Sequence, residues 1–319
     1  MRRHALSRLG AAALTMLCAA FVAFTLLSLA PGDRARIVAN ARFGGEGAAN
    51  PEVLEAIRAE LGLDRPLALQ FLDWLADAIR LDLGKSFTNQ RPVSEIVLSA
   101  FAETAPLALT AFIFGVLVAA ALACVAAIRP RSPVDIAIVA LSSLCAAMPS
   151  FWTGLLLILV FAVGLGWLPA YGNETALHAV LPALTLSSWL IATRTRIFRA
   201  FLREGLSAPY LDALRVRGVG EPTLLLRHVL PHVFVSALPI LCLDLAVLLE
   251  GAVIVETVFA RPGVGMTLLG ALLARDYPVA LCLIVAAAFT YVAANALADI
   301  LALRLDPRLR QGAGASRET

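Results

Sequence analysis

Six apolar stretches separated by polar ones organise this 319-residue chain. Residues 9–32, 104–128, 136–173, 175–193 and 277–298 contain no Asp, Glu, Lys or Arg, and a sixth stretch, 233–255, is apolar apart from Asp244 and Glu250. A helix needs about 20 residues to cross the hydrocarbon core of a bilayer, so each stretch predicts a transmembrane helix. The third stretch, 38 residues, exceeds one span. Pro149 and the Gly-Trp-Leu-Pro of residues 166–169 predict that it is one long helix followed by an external loop.

The polar intervals have patterns of their own. After Pro31-Gly32-Asp33 a polar segment runs to residue 103. Within it, Val53, Ile57 and Leu61, then Leu67, Phe71, Trp74, Leu75 and Ile79, recur at helical spacing, which predicts two short amphipathic helices over 51–61 and 66–81. Helices this short bury no core of their own and are expected to lie at the external mouth of the bundle. In the interval 194–232, Ser207 reads as an N-cap, Pro209 as a first-turn residue and Gly218 as a C-terminal stop. That predicts a helix of about nine residues, roughly 13 Å long. Glu221-Pro222 opens a second short helix, expected to end at Pro231. The predicted division is an N-terminal transmembrane helix (1–32), an external helical segment (33–103), a core of five transmembrane helices (104–310) carrying the loop 205–231, and a tail (311–319).

Composition agrees with the spans: 60% of residues are hydrophobic and 15% charged, far too apolar for a soluble domain. With the N-terminus inside, the segments 1–8, 129–135, 194–232 and 304–319 hold 16 Arg against 6 acids, and the segments 33–103, 166–178 and 256–278 hold 10 basic residues against 14 acids. By the positive-inside rule both termini are predicted to be cytoplasmic. The net charge of +3 is this bias, and gives no reason to expect a nucleic-acid partner. Arg2, Arg3 and the run after Arg8 resemble a signal peptide, but the run is long and five more follow, so an uncleaved helix is expected. Five cysteines scattered over the spans fit neither a disulfide framework nor a zinc site.

Candidate chemistry is sparse. Gly84-Lys85-Ser86 ends like a phosphate-binding loop, but the first glycine of that motif would fall at Ile79 and the segment is predicted outside, so no ATP site is expected on this chain. His228 and His232 are four apart, but Pro231 interrupts the turn, and no metal is expected there. Asp299 near the end of the last span is read as a snorkelling or helix-pairing residue. A charge inside a span costs about 2.5–3.5 kcal/mol on insertion scales, so Asp244 and Glu250 are expected to face a cavity or a partner. Two readings stay open for them: a pair with an Arg of a neighbouring span or subunit, or a place along a translocation pathway.

Residues 208–231 carry the most specific motif. Asp212-Ala213-Leu214, Gly218 and Leu230-Pro231 stand at the spacing of the Glu-Ala-Ala loop of permease subunits of ABC importers, with Leu214 and His228 departing from its Ala and Ile. Six further tags occur in order. They are Leu61-Gly62-Leu63-Asp64-Arg65-Pro66-Leu67, Asp82-Leu83-Gly84-Lys85-Ser86 with Arg91-Pro92-Val93, Met148-Pro149-Ser150-Phe151-Trp152, Glu256-Thr257-Val258-Phe259 with Pro262-Gly263-Val264-Gly265, Arg275-Asp276-Tyr277-Pro278, and Asp306-Pro307-Arg308. Together they resemble the dipeptide, oligopeptide and nickel importer permeases, in the subunit type with a long external segment after the first helix. Arg261 stands where that family commonly has Trp, and Glu250 where Gly is common.

The resemblance implies an all-α, six-span membrane protein of the type I ABC importer permease fold in a bacterial inner membrane, with no reaction of its own. It implies as partners a second, homologous permease, two cytoplasmic ATPase subunits that bind ATP and magnesium, and a periplasmic substrate-binding protein. It assigns ATPase coupling to Asp212, Ala213, Leu214, Arg215, Arg217, Gly218, Leu230 and Pro231. Expected pathway positions are Asp244, Glu250, Met148 and Pro149; Glu256, Arg261, Pro262 and Gly263 are expected near an external gate. The cargo stays open among dipeptides, oligopeptides, glutathione and a nickel chelate. An ion-gradient-driven secondary transporter is the alternative, and would predict paired repeats, broken helices and intramembrane ionisable groups in both halves. A membrane-embedded hydrolase lacks its motifs here.

Overall fold

The structure, a computed structural model, describes residues 2–47 and 50–305. Among them it is mainly helical, without strands, and falls into two compact units: one within residues 2–104 and 261–292, the other within 105–260 and 293–305. Five helices are long and apolar enough to cross a membrane: Gly10–Leu29, Val93–Ile128, Ala176–Leu206, Glu221–Val258 and Tyr277–Leu301. A sixth span exists if the pair Pro133–Ala147 and Ser150–Gly164 counts as one.

That pair corrects the expectation of one long third helix: its two arms are bent by 106°. The cause is local. Proline disfavours the helical region for the residue before it. Met148 accordingly sits at φ −82, ψ 131, ending α6 (Pro133–Ala147), and Pro149 at φ −62, ψ 139 opens α7 (Ser150–Leu157), which continues as a π-helical turn to Gly164.

In the first unit, α1 (Arg2–Leu29) is followed by α2 (Arg34–Gly47), α3 (Pro51–Glu60) and α4 (Leu67–Ile79). The two predicted amphipathic helices are α3 and α4; α2 is additional. Asp33 starts α2 by accepting the Ala35 N–H at 3.0 Å, while its other oxygen holds Arg58 of α3 at 2.6 Å. Ala35, Val38, Ala39 and Ile57 close the small core between α2 and α3. α4 packs on α1 through aromatic rings, with Phe71 edge-on to Phe24 at 5.5 Å and stacked with Trp74 at 6.0 Å. The first turns of α5 (Val93–Ile128) pack with α12 (Val264–Leu273) and the start of α13 (Tyr277–Leu305) around Val93, Ala100, Val264 and Leu283. Buried Thr104 accepts the Val264 N–H at 2.8 Å and so caps α12.

In the second unit, α8 (Val180–Leu206) and α11 (Leu230–Val258) pack on each other and on α7. Leu181, Leu190, Leu248 and Phe259 form one end of this core. Ala119, Ala123, Leu202, Leu224 and Val229 form the other. Apolar side chains such as Leu117, Ile136, Leu141 and Leu159 stay exposed, as a lipid-facing surface requires.

Candidate functional site

The interval between α8 and α11 folds tightly. Ser207 closes α8, with its N–H on the carbonyl of Arg203; this corrects its expected role as an N-cap. Ala208, ahead of Pro209, is held extended at φ −67, ψ 129 and takes the N-cap place, so α9 runs Pro209–Val216, eight residues. Gly218 follows at φ +81, with its N–H on Arg215 O at 2.9 Å, and the Val219 N–H reaches Leu214 O at 3.1 Å. Those two bonds are a Schellman stop, whose left-handed residue favours glycine.

Pro231 does not end the next helix, contrary to expectation. The chain passes from α10 (Glu221–Thr223) through a π-helical stretch, Leu224–Val229, directly into α11. The wider turn accommodates the N–H that Pro231 lacks.

α9 is anchored on one face and open on the other. Leu211 is fully buried beside Leu202, Leu224 and Val229, and Leu214 packs on the same cluster. On the opposite face Asp212, Ala213, Val216 and Arg217 are exposed, Val216 by 89%. Arg215 braces the mount. It donates to Asp212 at 2.8 Å, to Glu221 at 2.7 Å and to the Leu206 carbonyl at 3.4 Å, tying α9 to the start of α10 and the end of α8. The carboxylates of Glu221 and Asp212 hold its pKa above the ordinary arginine value. It is thus a strut within the loop. Val216 was missed: its place on the free face follows only once Leu211 is known to be the buried anchor of the helix.

Deeper in the second unit, Asp244 of α11 is 1% exposed and accepts two hydrogen bonds from Nε and Nη2 of Arg194 on α8, whose side chain is 12% exposed. Arg194 also lies 5.8 Å from the Trp189 ring and borders a groove of about 430 Å³ along α8 lined by Trp189, Thr193, Arg196 and Ala200. Of the other expected pathway residues, Glu250 and Pro149 are exposed and Met148 is half-buried. Glu256 is fully buried in α11.

The first unit holds Arg261, Pro262 and Gly263. Arg261 is buried and donates to Glu103 at 3.2 Å; Pro262 is exposed; Gly263 is the N-cap of α12. Ser86, the end of the phosphate-loop lookalike, donates instead to buried Asp276. The same carboxylate accepts the Thr88 hydroxyl at 2.8 Å and the Phe87 N–H at 3.0 Å. Asp276 was not singled out from the sequence, although it lies in a family-like tag.

With this geometry in view, the family described as "Binding-protein-dependent transport system inner membrane component" matches residues 111–311, and its N-terminal companion matches residues 1–108. The chain belongs to this permease family. A Brucella abortus strain 2308 protein named for a peptide transport system permease is 36% identical over 96% of this chain and 98% of its own length. The glutathione transport system permease protein GsiC of Escherichia coli K12 is 33% identical over 97% of this chain and 99% of its own. The short helix α9, which carries the Asp212-Ala213-Leu214 spacing, lies within the residues that this family matches.

Proposed function

We propose that this permease forms one half of the transmembrane pathway of an ATP-driven importer and carries a peptide-type cargo, a short peptide or glutathione, from the periplasm to the cytoplasm. The named relatives support that cargo class over a nickel chelate, for which only the external segment 81–93 speaks. In this reading a homologous second permease completes the pathway and a periplasmic binding protein delivers the cargo. Two cytoplasmic ATPase subunits bind ATP and magnesium, and the chain itself catalyses no reaction. Both termini lie in the cytoplasm of an inner-membrane protein, as the charge bias favours.

One observation carries the mechanism: α9 is fixed rigidly by Leu211 and Arg215 while its opposite face is free. A docked ATPase pressing on Ala213, Val216 and Arg217 would displace α9. Arg215 would pass that displacement to Leu206 and Glu221, hence to α8 and α11 together. The Arg194–Asp244 pair locks those two helices, so they would move as one body and change access to the groove beside Arg194. Glu256, Arg261, Pro262 and Gly263 are assigned to the external gate, and Met148, Pro149 and Glu250 to the pathway.

The test is reconstitution with the partner subunits in proteoliposomes. Cargo-loaded binding protein should stimulate ATP hydrolysis and uptake, and a protonophore should leave uptake intact. Uptake without ATP, abolished by collapsing an ion gradient, would establish the secondary-transporter alternative instead.

A further inference from the structure

The first unit contains a cavity of about 410 Å³ that the importer reading does not use. Its walls come from the end of α1, the start of α13, the helices α2 and α4, and the loop 82–90. The volume falls within the range of small-ligand sites.

One side of the cavity is apolar. Phe24 and Leu27 belong to the α1 span and Leu281 to the α13 span. The other side is charged, and among the described residues four lining charges have no ion-pair partner: Arg34, Lys85, Asp77 and Asp82. Arg34 is half-buried over the ring of Tyr277, 4.8 Å from its centroid. Tyr277 is itself a wall residue, and its buried hydroxyl faces the Arg34 side chain without a hydrogen bond of ordinary geometry. A buried hydroxyl without a partner costs free energy, as does a desolvated cation without an anion.

The position in the fold adds a second constraint. α1 ends at Leu29 and α13 begins at Tyr277, so the cavity lies where hydrocarbon gives way to headgroups. Exposed apolar residues continue on both sides of it, Leu14, Leu17 and Leu26 on α1 and Leu69, Leu72 and Ile79 on α4. An α4 that is apolar outward as well as inward suits a helix lying in the membrane interface. A molecule in this cavity therefore meets two cations and two anions that lack ion-pair partners, and a lipid-facing apolar wall.

We propose that the cavity binds one phospholipid with a zwitterionic, ammonium-bearing headgroup of the phosphoethanolamine class. Arg34, Lys85 and the Tyr277 hydroxyl take the phosphate, Asp77 and Asp82 take the ammonium, and the acyl chains run along Phe24, Leu27 and Leu281. Equal numbers of free cations and anions select a zwitterion over an anionic lipid. The apolar wall formed by two spans selects a lipid over a soluble peptide.

The full chain, purified with its partner subunits, is delipidated by detergent exchange and loaded separately with dioleoyl phosphatidylethanolamine or dioleoyl phosphatidylglycerol. Native mass spectrometry then counts retained lipid. One phosphatidylethanolamine per chain is expected, retained about tenfold better than phosphatidylglycerol. Lys85→Gln and Asp77→Asn alter exposed side chains and should each weaken retention about tenfold, as for one charge-assisted hydrogen bond. Arg34→Gln should abolish it. Free phosphoethanolamine and a dipeptide, each added in excess, should leave the lipid in place. Equal retention of both lipids, unchanged retention in Lys85→Gln and Asp77→Asn, or displacement by either soluble competitor overturns the proposal. Transport assays do not enter this test, so its failure leaves the importer reading untouched.

Discussion

Gly218 adopts φ +81 at a point where an added Cβ would meet no atom within 4 Å. Backbone strain and bulk can therefore be separated there. Gly218→Ala adds only the left-handed penalty, about 1 kcal/mol, and should leave uptake close to wild type. Gly218→Arg adds a long side chain beside the exposed face of α9, and uptake should fall about tenfold or more while the ATPase subunits still co-purify. Equal loss in both variants would assign the effect to the Schellman stop rather than to docking. Asp244 is the second residue with a defined environment. Removing one member of a buried ion pair costs about 3–5 kcal/mol, whereas removing both charges is far milder. Asp244→Asn and Arg194→Gln should each lower the melting temperature of the purified complex, and the double variant should recover most of the loss. If the double variant melts as low as the singles, the pair does not join α8 to α11. Gly218 was legible from spacing alone because a helix stop is a local device. The partner of Asp244 was not, because only tertiary packing decides which arginine meets which acid.

At the scale of elements, the apolar runs located the spans but not their breaks. α2 escaped notice because its sequence, with Gly44 and Gly45 inside, has no clean helical stripe; the one signal was Asp33 as an N-cap. α12 escaped because a short apolar helix reads like a piece of a span. Pro149 marks the break in the sequence, but its effect falls on Met148, which it holds extended. Pro149→Ala removes that constraint, and the α6–α7 pair should straighten. Spin labels at Val139 and Leu159, 20 residues apart, would lie about 30 Å apart in a continuous helix. They should lie much closer in the wild type and move towards the longer distance in the variant. No change in the distance distribution would show that packing on α8, rather than proline, sets the bend.

For the whole molecule, the charge bias makes a sharper statement than any single motif. Asn40 and Arg217 are both exposed, on segments of opposite charge balance. With the native cysteines replaced, Asn40→Cys should react with an impermeant thiol reagent added outside intact cells, and Arg217→Cys only after permeabilisation. Labelling of both from outside would overturn the proposed orientation. The architecture was legible at this scale because about 20 apolar residues can do little else in a bilayer. The assignment of residues 261–292 to the same unit as the N-terminal 104 was not, since nothing in the local pattern announces a long-range return.

That return sets an order of events during synthesis. Ser86, Phe87 and Thr88 all donate to a carboxylate that lies up to 190 positions later in the chain. At about 5–20 residues per second, a ribosome needs roughly 10–40 s to deliver Asp276 after Ser86 has emerged. For that interval the loop after α4 has its donors but not their acceptor, and the first unit cannot close. A chain cut short before Asp276 would lack that acceptor altogether.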